Sequence, residues 1–246
     1  MIRFSSRRTD GVLSGYRRSI IPAESTGDGG FVKPSGTPTW DTGHSLYSGL
    51  RGDWLFNEGS GIVVNDYGPN NYDLELQGGT TRVSTSEGAA VRFDGVDGLA
   101  VVSNVLGITT AATMWIRFEP LTLPQSAVLL KLGGPDGMGL GIGDVDVDTN
   151  GSNIAALLEA AYHIPTTREI TLRTRNIAMS GASIYDGSYP VEASGGTNTP
   201  TTQFIVGGVG GGRFSYSIVQ RVIVWNRELT YAELEALEAN PYAGYL

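Results

Sequence analysis

From Leu46 onward, short apolar runs alternate with turn-forming residues at the spacing of a many-stranded β protein. The runs predict strands at Asp53–Phe56, Tyr72–Leu76, Ala89–Phe93, Leu99–Val102, Thr113–Phe118, Ala127–Leu132, Met138–Val147, Ile154–Leu158, Arg168–Arg175, Ala178–Tyr185, Gln203–Val206 and Ile218–Trp225. Within them the period is two. Trp54 and Phe56 share a face, as do Leu74 and Leu76. Ile170 and Leu172 point to the core while Arg173 and Arg175 point out. About a dozen strands suffice for two packed sheets. One helix is predicted, at about 230–239. Thr230 caps it, Glu233 completes a capping box, Leu234 and Leu237 form a docking face, and Asn240-Pro241 ends it. Residues 1–45 show neither helical nor alternating periodicity and read as an extended N-terminal arm, with the domain at 46–246.

Composition sharpens this picture. Gly is 35 of 246 residues, about twice the usual share, and only 17% of residues are charged. That suits many tight turns, and Gly59, Gly61, Gly95 and Gly98 fall where turns favour positive φ. There is no cysteine, which excludes disulfides, a thiol nucleophile and thiolate metal sites. No apolar stretch approaches the ~18 residues of a membrane helix. The net charge of −8 is uneven. Residues 1–18 hold Arg3, Arg7, Arg8, Arg17 and Arg18 against Asp10, a net of +4. The rest holds 12 basic and 24 acidic residues, a net of −12. An acidic body repels phosphates and makes nucleic acid an unlikely partner, whereas the basic segment suits an acidic protein surface or a nucleic acid. The N-terminus lacks the apolar core of a secretion signal, so the expectation is synthesis in the cytoplasm.

Three segments resemble the laminin G-like jelly rolls of the concanavalin A-like lectin/glucanase superfamily. Gly52-Asp53-Trp54-Leu55-Phe56-Asn57-Glu58-Gly59-Ser60-Gly61, with Asn65-Asp66-Tyr67-Gly68-Pro69-Asn70-Asn71, is similar to the opening strand and its Asp-x-x-Gly-x-Asn turn. Val91-Arg92-Phe93-Asp94-Gly95-Val96-Asp97-Gly98 is similar to Phe-Asp-Gly-x-Asp-Asp. Val222 through Leu234, running on to Asn240-Pro241-Tyr242, is similar to the closing strand and short helix. The resemblance spans Gly52 to Tyr242 and implies an all-β, two-sheet antiparallel jelly-roll sandwich. It places Trp54 and Trp225 in the core, where Phe93 and Trp115 are also expected from their apolar strands. Trp40, in the arm, is expected to anchor a partner or cover a sheet edge.

For chemistry, glucan-cutting members carry Glu-x-Asp-x-x-Glu on one strand, a pair of carboxylates ~5–5.5 Å apart. No such motif occurs here, and His44 and His163 stand in no triad-like pattern, so the expectation is a non-enzyme that requires no cofactor. Calcium is the metal to consider, since hard cations gather several oxygens. The candidate ligands are Asp66, Asn70, Asp94 and Asp97, although Gly98 and Gln220 stand where relatives carry Asp. Asp144 to Gly151 supplies half of a calcium loop and reads better as an acidic hairpin. Tyr162, Tyr185, Tyr189 and Asn198 are loop residues suited to glycans, without fixing a site. The 207–212 glycine run lacks the Lys-Ser/Thr of a phosphate loop.

Similar domains occur in tailed-bacteriophage structural proteins. The resemblance therefore implies a bacteriophage virion surface protein, with head decoration or cement the leading role. The arm residues Arg3, Arg7, Arg8, Arg17, Arg18 and Trp40 would bind capsid or tail proteins. The sandwich would face outward, with weak binding to cell-surface glycans and homo-oligomerisation open. The alternatives are a carbohydrate-binding module of a bacterial surface or secreted protein, and a tail fibre or receptor-binding component. The absence of heptads or a repetitive shaft favours the head.

Overall fold

The computed structural model describes residues 31–102, 106–108, 112–121, 127–132, 138–142, 155–156, 168–174, 182–185, 191–193, 203–209 and 213–246. The compact unit is Phe31–Leu246. Its strands are β1 (Leu50–Trp54), β2 (Val63–Val64), β3 (Leu74–Gln77), β4 (Thr81–Thr85), β5 (Gly88–Asp94), β6 (Leu99–Val102), β7 (Ala112–Pro120), β8 (Ala127–Leu132) and β9 (Met138–Ile142). They continue as β10 (Ala155–Ala156), β11 (Arg168–Thr174), β12 (Ala182–Tyr185), β13 (Val191–Ala193), β14 (Phe204–Val206), β15 (Gly208–Val209), β16 (Arg213–Phe214) and β17 (Tyr216–Trp225). The helix α1 is Tyr231–Ala239.

These strands form two sheets, an all-β sandwich. The first runs β13-β12-β11-β7-β17-β5-β4. Its central strand, β17, pairs with β7 along nearly its whole length. On the other side it pairs with β5 over Tyr216–Val219 and with β1 over Val222–Trp225. The second sheet runs β10-β9-β8-β14-β6-β3-β2, with the β15–β16 hairpin joined to β8. All pairings are antiparallel except β10 with β9 and β16 with β8.

The inner faces meet in one apolar cluster that includes Trp54, Phe56, Leu74, Val91, Phe93, Met114, Ile116, Phe118, Phe204, Val222 and Val224. Trp54 stacks on Phe204 with centroids 5.2 Å apart, and its Nε1 donates to the Tyr72 carbonyl at 2.8 Å. The tryptophan thus buries its rings and still satisfies its one donor. A second cluster lies on the outer face of the first sheet. There Trp115, Ile223 and Trp225 pack with Trp40, Leu46, Leu50, Leu229, Leu234 and Leu237. The expected docking face of the helix is therefore real. Its capping box is present too, with Thr230 Oγ1 accepting from the Glu233 amide at 3.3 Å and Glu233 accepting from the Thr230 amide at 2.8 Å.

The elements differ from expectation at several places, the short strands β2, β13, β15 and β16 among them. The first strand ends at Trp54, and Phe56 reaches the core from a left-handed turn at φ 54° rather than from the strand. The strand β4 was not expected, because Thr81-Arg82-Val83-Ser84-Thr85 carries a single large apolar residue and forms a sheet edge. Edge strands need only a thin apolar face.

Candidate functional site

The candidate metal ligands in the two turns are spent on backbone groups of their own turns and of neighbouring segments. Asp66 is buried and bridges to Trp54. Its Oδ1 accepts from the amides of Asp53 at 2.8 Å and Gly68 at 2.7 Å, and its Oδ2 accepts from Tyr72 at 2.9 Å. Burial raises its pKa above the ordinary carboxylate value, and these amides oppose the rise. Asn70, on the same turn, donates from Nδ2 to the Arg51 carbonyl at 2.9 Å. In the second turn Asp94 Oδ1 accepts from Val96, Asp97 and Gly98 at 2.9, 3.1 and 2.9 Å. Burial works upward on Asp94, yet the three amides outweigh it and hold the carboxyl below its usual range. Asp97 accepts from the Gly79 amide at 2.7 Å. Only glycine fits at 79, since a Cβ there would lie 1.8 Å from Asp94 Oδ2. Among the described residues no group of three or more acids or histidines is placed to hold a metal ion. The turn acids act as Asx-type braces, which organise loops through backbone amides.

The structure also gathers charged residues that sequence reading passed over, on the outer face of the first sheet. Asp53 on β1 and Arg221 on β17 are both fully buried and form a bidentate ion pair at 2.9 and 2.7 Å. Trp40 Nε1 donates to Asp53 at 2.9 Å, and the Tyr245 hydroxyl also donates to Asp53. Arg221 donates further to the Pro241 carbonyl and lies under the Tyr245 ring, 4.8 Å from its centroid. Desolvation disfavours the Arg221 charge, but Asp53 more than compensates and holds its pKa above the ordinary guanidinium value. Next to this pair, buried Glu87 accepts from Arg117 at 2.6 and 2.9 Å and from the Tyr242 hydroxyl at 2.8 Å. The Gln220 side-chain amide faces the same carboxylate. A bulge between Val219 and Arg221 explains why two consecutive residues, Gln220 and Arg221, both reach this face.

Lys33 completes the group. It is 6% exposed, and its Nζ donates to the Leu55 carbonyl at 2.8 Å and to the Ala89 carbonyl. Burial pushes it down to about 7, with Glu87 and Glu58 opposing and Arg117 and Arg221 adding to the fall. The two end segments of the compact unit, from Lys33 to Trp40 and from Pro241 to Tyr245, are thereby fastened to one sheet face.

Trp40 is consequently not a free anchor. It is 4% exposed, pairs with Tyr245 across an isolated bridge and is part of the sandwich, which begins at Phe31 rather than Leu46. The physical reason is that β1, β7 and β17 leave Trp115, Ile223 and Trp225 needing cover. Arg3, Arg7, Arg8, Arg17 and Arg18 lie outside the described residues, as do Asp144 to Gly151, Tyr162, His163, Tyr189 and Asn198. The clasp had a sequence signal. Asp53, Arg117 and Arg221 each interrupt an apolar run, and a charge at such a position needs a buried partner. Pairing Asp53 with Arg221 across 168 residues required the fold.

No protein-family model matches the sequence, and no curated protein matches it. Among solved structures the chain is similar to a Trypanosoma rangeli sialidase in complex with sialic acid, at 21% identity and a TM-score of 0.56, over 77% of this chain and 32% of that one. It is similar to the binding domain of botulinum neurotoxin serotype D/C VPI 5993, at 9% identity and a TM-score of 0.56, over 78% of this chain and 52% of that one. It also resembles the binding domain of Paraclostridial Mosquitocidal Protein 1, at 16% identity and a TM-score of 0.54, over the same shares of 78% and 52%. The fold shared with these structures is an all-β sandwich of two sheets. The chain spans 32% of the sialidase and 52% of each toxin binding domain, so these likenesses speak to the fold alone. Among the described residues no helix is long and apolar enough to cross a membrane.

Proposed function

We propose that this chain is a non-enzymatic virion surface protein of a tailed bacteriophage, laminin G-like in style. In this reading it decorates or cements the head through its basic N-terminal segment and presents the sandwich outward toward glycans. The observation that carries the reading is the partition of charge about a closed body. The compact unit buries Lys33, Trp40 and Tyr242 of its own end segments, while a net of +4 resides in residues 1–18, before that unit begins. An acidic domain with a basic tether suits attachment to an acidic assembly while neighbouring copies repel one another. The absence of the paired-carboxylate motif supports binding over catalysis, as does the use of Asp66 and Asp94 as loop braces.

The test is co-sedimentation of the full-length protein with bare capsids at low and high salt. Binding at low salt, lost at high salt, is expected because exposed charges are screened. Replacing Arg3, Arg7, Arg8, Arg17 and Arg18 by Ser should weaken it at least about tenfold. Co-sedimentation that ignores both salt and the substitutions would overturn the anchoring role. The second reading is a free carbohydrate-binding module, for which the likeness to the binding domains of two other proteins supports a binding role without naming the ligand. It gains if no capsid binding occurs at any salt.

A further inference from the structure

The loops after β1 and β2 hold a polar cluster that neither the clasp nor the turn braces absorb. The Tyr67 hydroxyl donates to Asn57 Oδ1 at 2.9 Å. Asn65 donates from its backbone at 2.8 Å and from Nδ2 at 3.0 Å to Glu58 Oε1. The other Glu58 oxygen accepts from Arg82 at 3.0 Å. Arg82, on edge strand β4 of the first sheet, reaches across to the Val63 carbonyl on β2 of the second at 2.7 Å. The cluster therefore straddles the seam between the two sheets.

Two further observations mark this place. Phe56 and Asn71 are the non-glycine residues with positive φ among those described, at 54° and 55°. Each immediately precedes a member of these loops, Asn57 in one case and Tyr72 in the other. For buried, bulky Phe56 the left-handed conformation is strained, and such strain gathers where side chains must be aimed. Here it turns the chain out of the core, so that Asn57 and Glu58 stand at the rim. Second, the cluster is fixed but not saturated. The Tyr67 ring is partly exposed, and nothing among the described residues pairs with Asn57 Nδ2.

We propose that Tyr67, Asn57, Asn65, Glu58 and Arg82 form a saccharide-binding rim for a neutral hexose ring. This rests on the glycan-facing part of the reading above. A pyranose has an apolar C–H face, suited to a tyrosine ring, and an equator of hydroxyls that both donate and accept. The ring, spare amide donors and paired carboxylate and guanidinium supply those complements with rotamers already locked. The charges select the ligand class. Arg82 is neutralised by Glu58, and exposed Asp73 lies on the same loop, so no uncompensated cation awaits an acidic sugar.

The test uses the full-length protein, with saturation-transfer NMR and titration against methyl glycosides of glucose, galactose and N-acetylglucosamine, and a methyl sialoside as the anionic probe. At least one neutral glycoside should bind at millimolar concentration, ahead of the sialoside. Tyr67→Ala should weaken it at least about tenfold and Asn57→Ala about threefold, while Tyr231→Ala on α1 leaves it unchanged. Should Tyr67→Ala lower the folded population, Asn57→Ala and Tyr67→Phe carry the test. Neutral binding that survives these variants overturns the site and leaves the lectin-like reading standing. No neutral binding at all, or preferred binding of the sialoside, also overturns it. Neither result touches the virion role, which is read on capsids.

Discussion

The two faces of the first sheet are covered by different means. Its inner face meets Leu74, Leu76, Phe204 and Val206 of the second sheet mainly through shape and volume. Its outer face is covered by the protein's own end segments, and there buried ion pairs and hydrogen bonds fix the register. The difference is one of direction. Apolar packing tolerates similar shapes, whereas an Asp–Arg pair with converging Trp and Tyr donors accepts one arrangement. Isolating charge is expensive, so this face tolerates loss of a partner poorly.

The largest effect is expected from Arg221→Met. It leaves the Asp53 carboxylate buried without its cation, and stability should fall by ~3–5 kcal/mol. Urea unfolding of the variant measures this. Adding Asp53→Asn should restore part of the loss, and a single variant as stable as wild type would mean that apolar contact alone holds the outer face. Next comes Trp40→Phe, which keeps most of the ring area but removes one donor to Asp53. A loss of ~1.5–3 kcal/mol is expected in the same measurement, as for a hydrogen bond to a charged group. A value near zero would reduce Trp40 to a hydrophobic cover.

The smallest effect concerns a partly buried counterpart, Arg227–Glu233, at 2.7 Å beside the helix cap. Burial would raise Glu233, but Arg227 and Thr230 outweigh it and pull the carboxyl to about 2, from an ordinary value of 4.5. Because the folded value is the lower, the stabilisation is complete above pH 4.5 and disappears as pH falls toward 2. Solvent screening keeps it within ~1 kcal/mol. Thermal unfolding across this range should show a gentler acid decline for Glu233→Gln than for wild type. Equal slopes would assign the acid sensitivity to another carboxylate.

The strands with full apolar faces were legible in the sequence. Leu99–Val102 and Ala127–Leu132 stand at their expected bounds, and the capping box located α1. The edge strand β4 was not legible, because pairing on one side lets polar residues serve. Nor was the fate of Trp40. Its Thr- and Pro-rich surroundings read as an arm, and its burial depends on Tyr245 and Asp53, 205 and 13 residues away. The candidate site was half legible. The turn of Asp66 and Asn70 was singled out for calcium, yet neighbouring Tyr67, Asn57 and Glu58 were noted only as motif letters. Their association with Arg82 crosses from one sheet to the other, which local pattern does not encode.

The position of β17 sets an order of events during synthesis. It is the last strand to be made and the central strand of its sheet, joining β7 to both β5 and β1. Until the ribosome has produced Tyr216–Trp225, the edges of β1, β5 and β7 that it will occupy remain unpaired. The nascent chain thus carries most of its apolar residues with no way to close the sheet, and depends on contacts of very long sequence separation. A message truncated before codon 216 would yield a sticky fragment rather than a smaller domain.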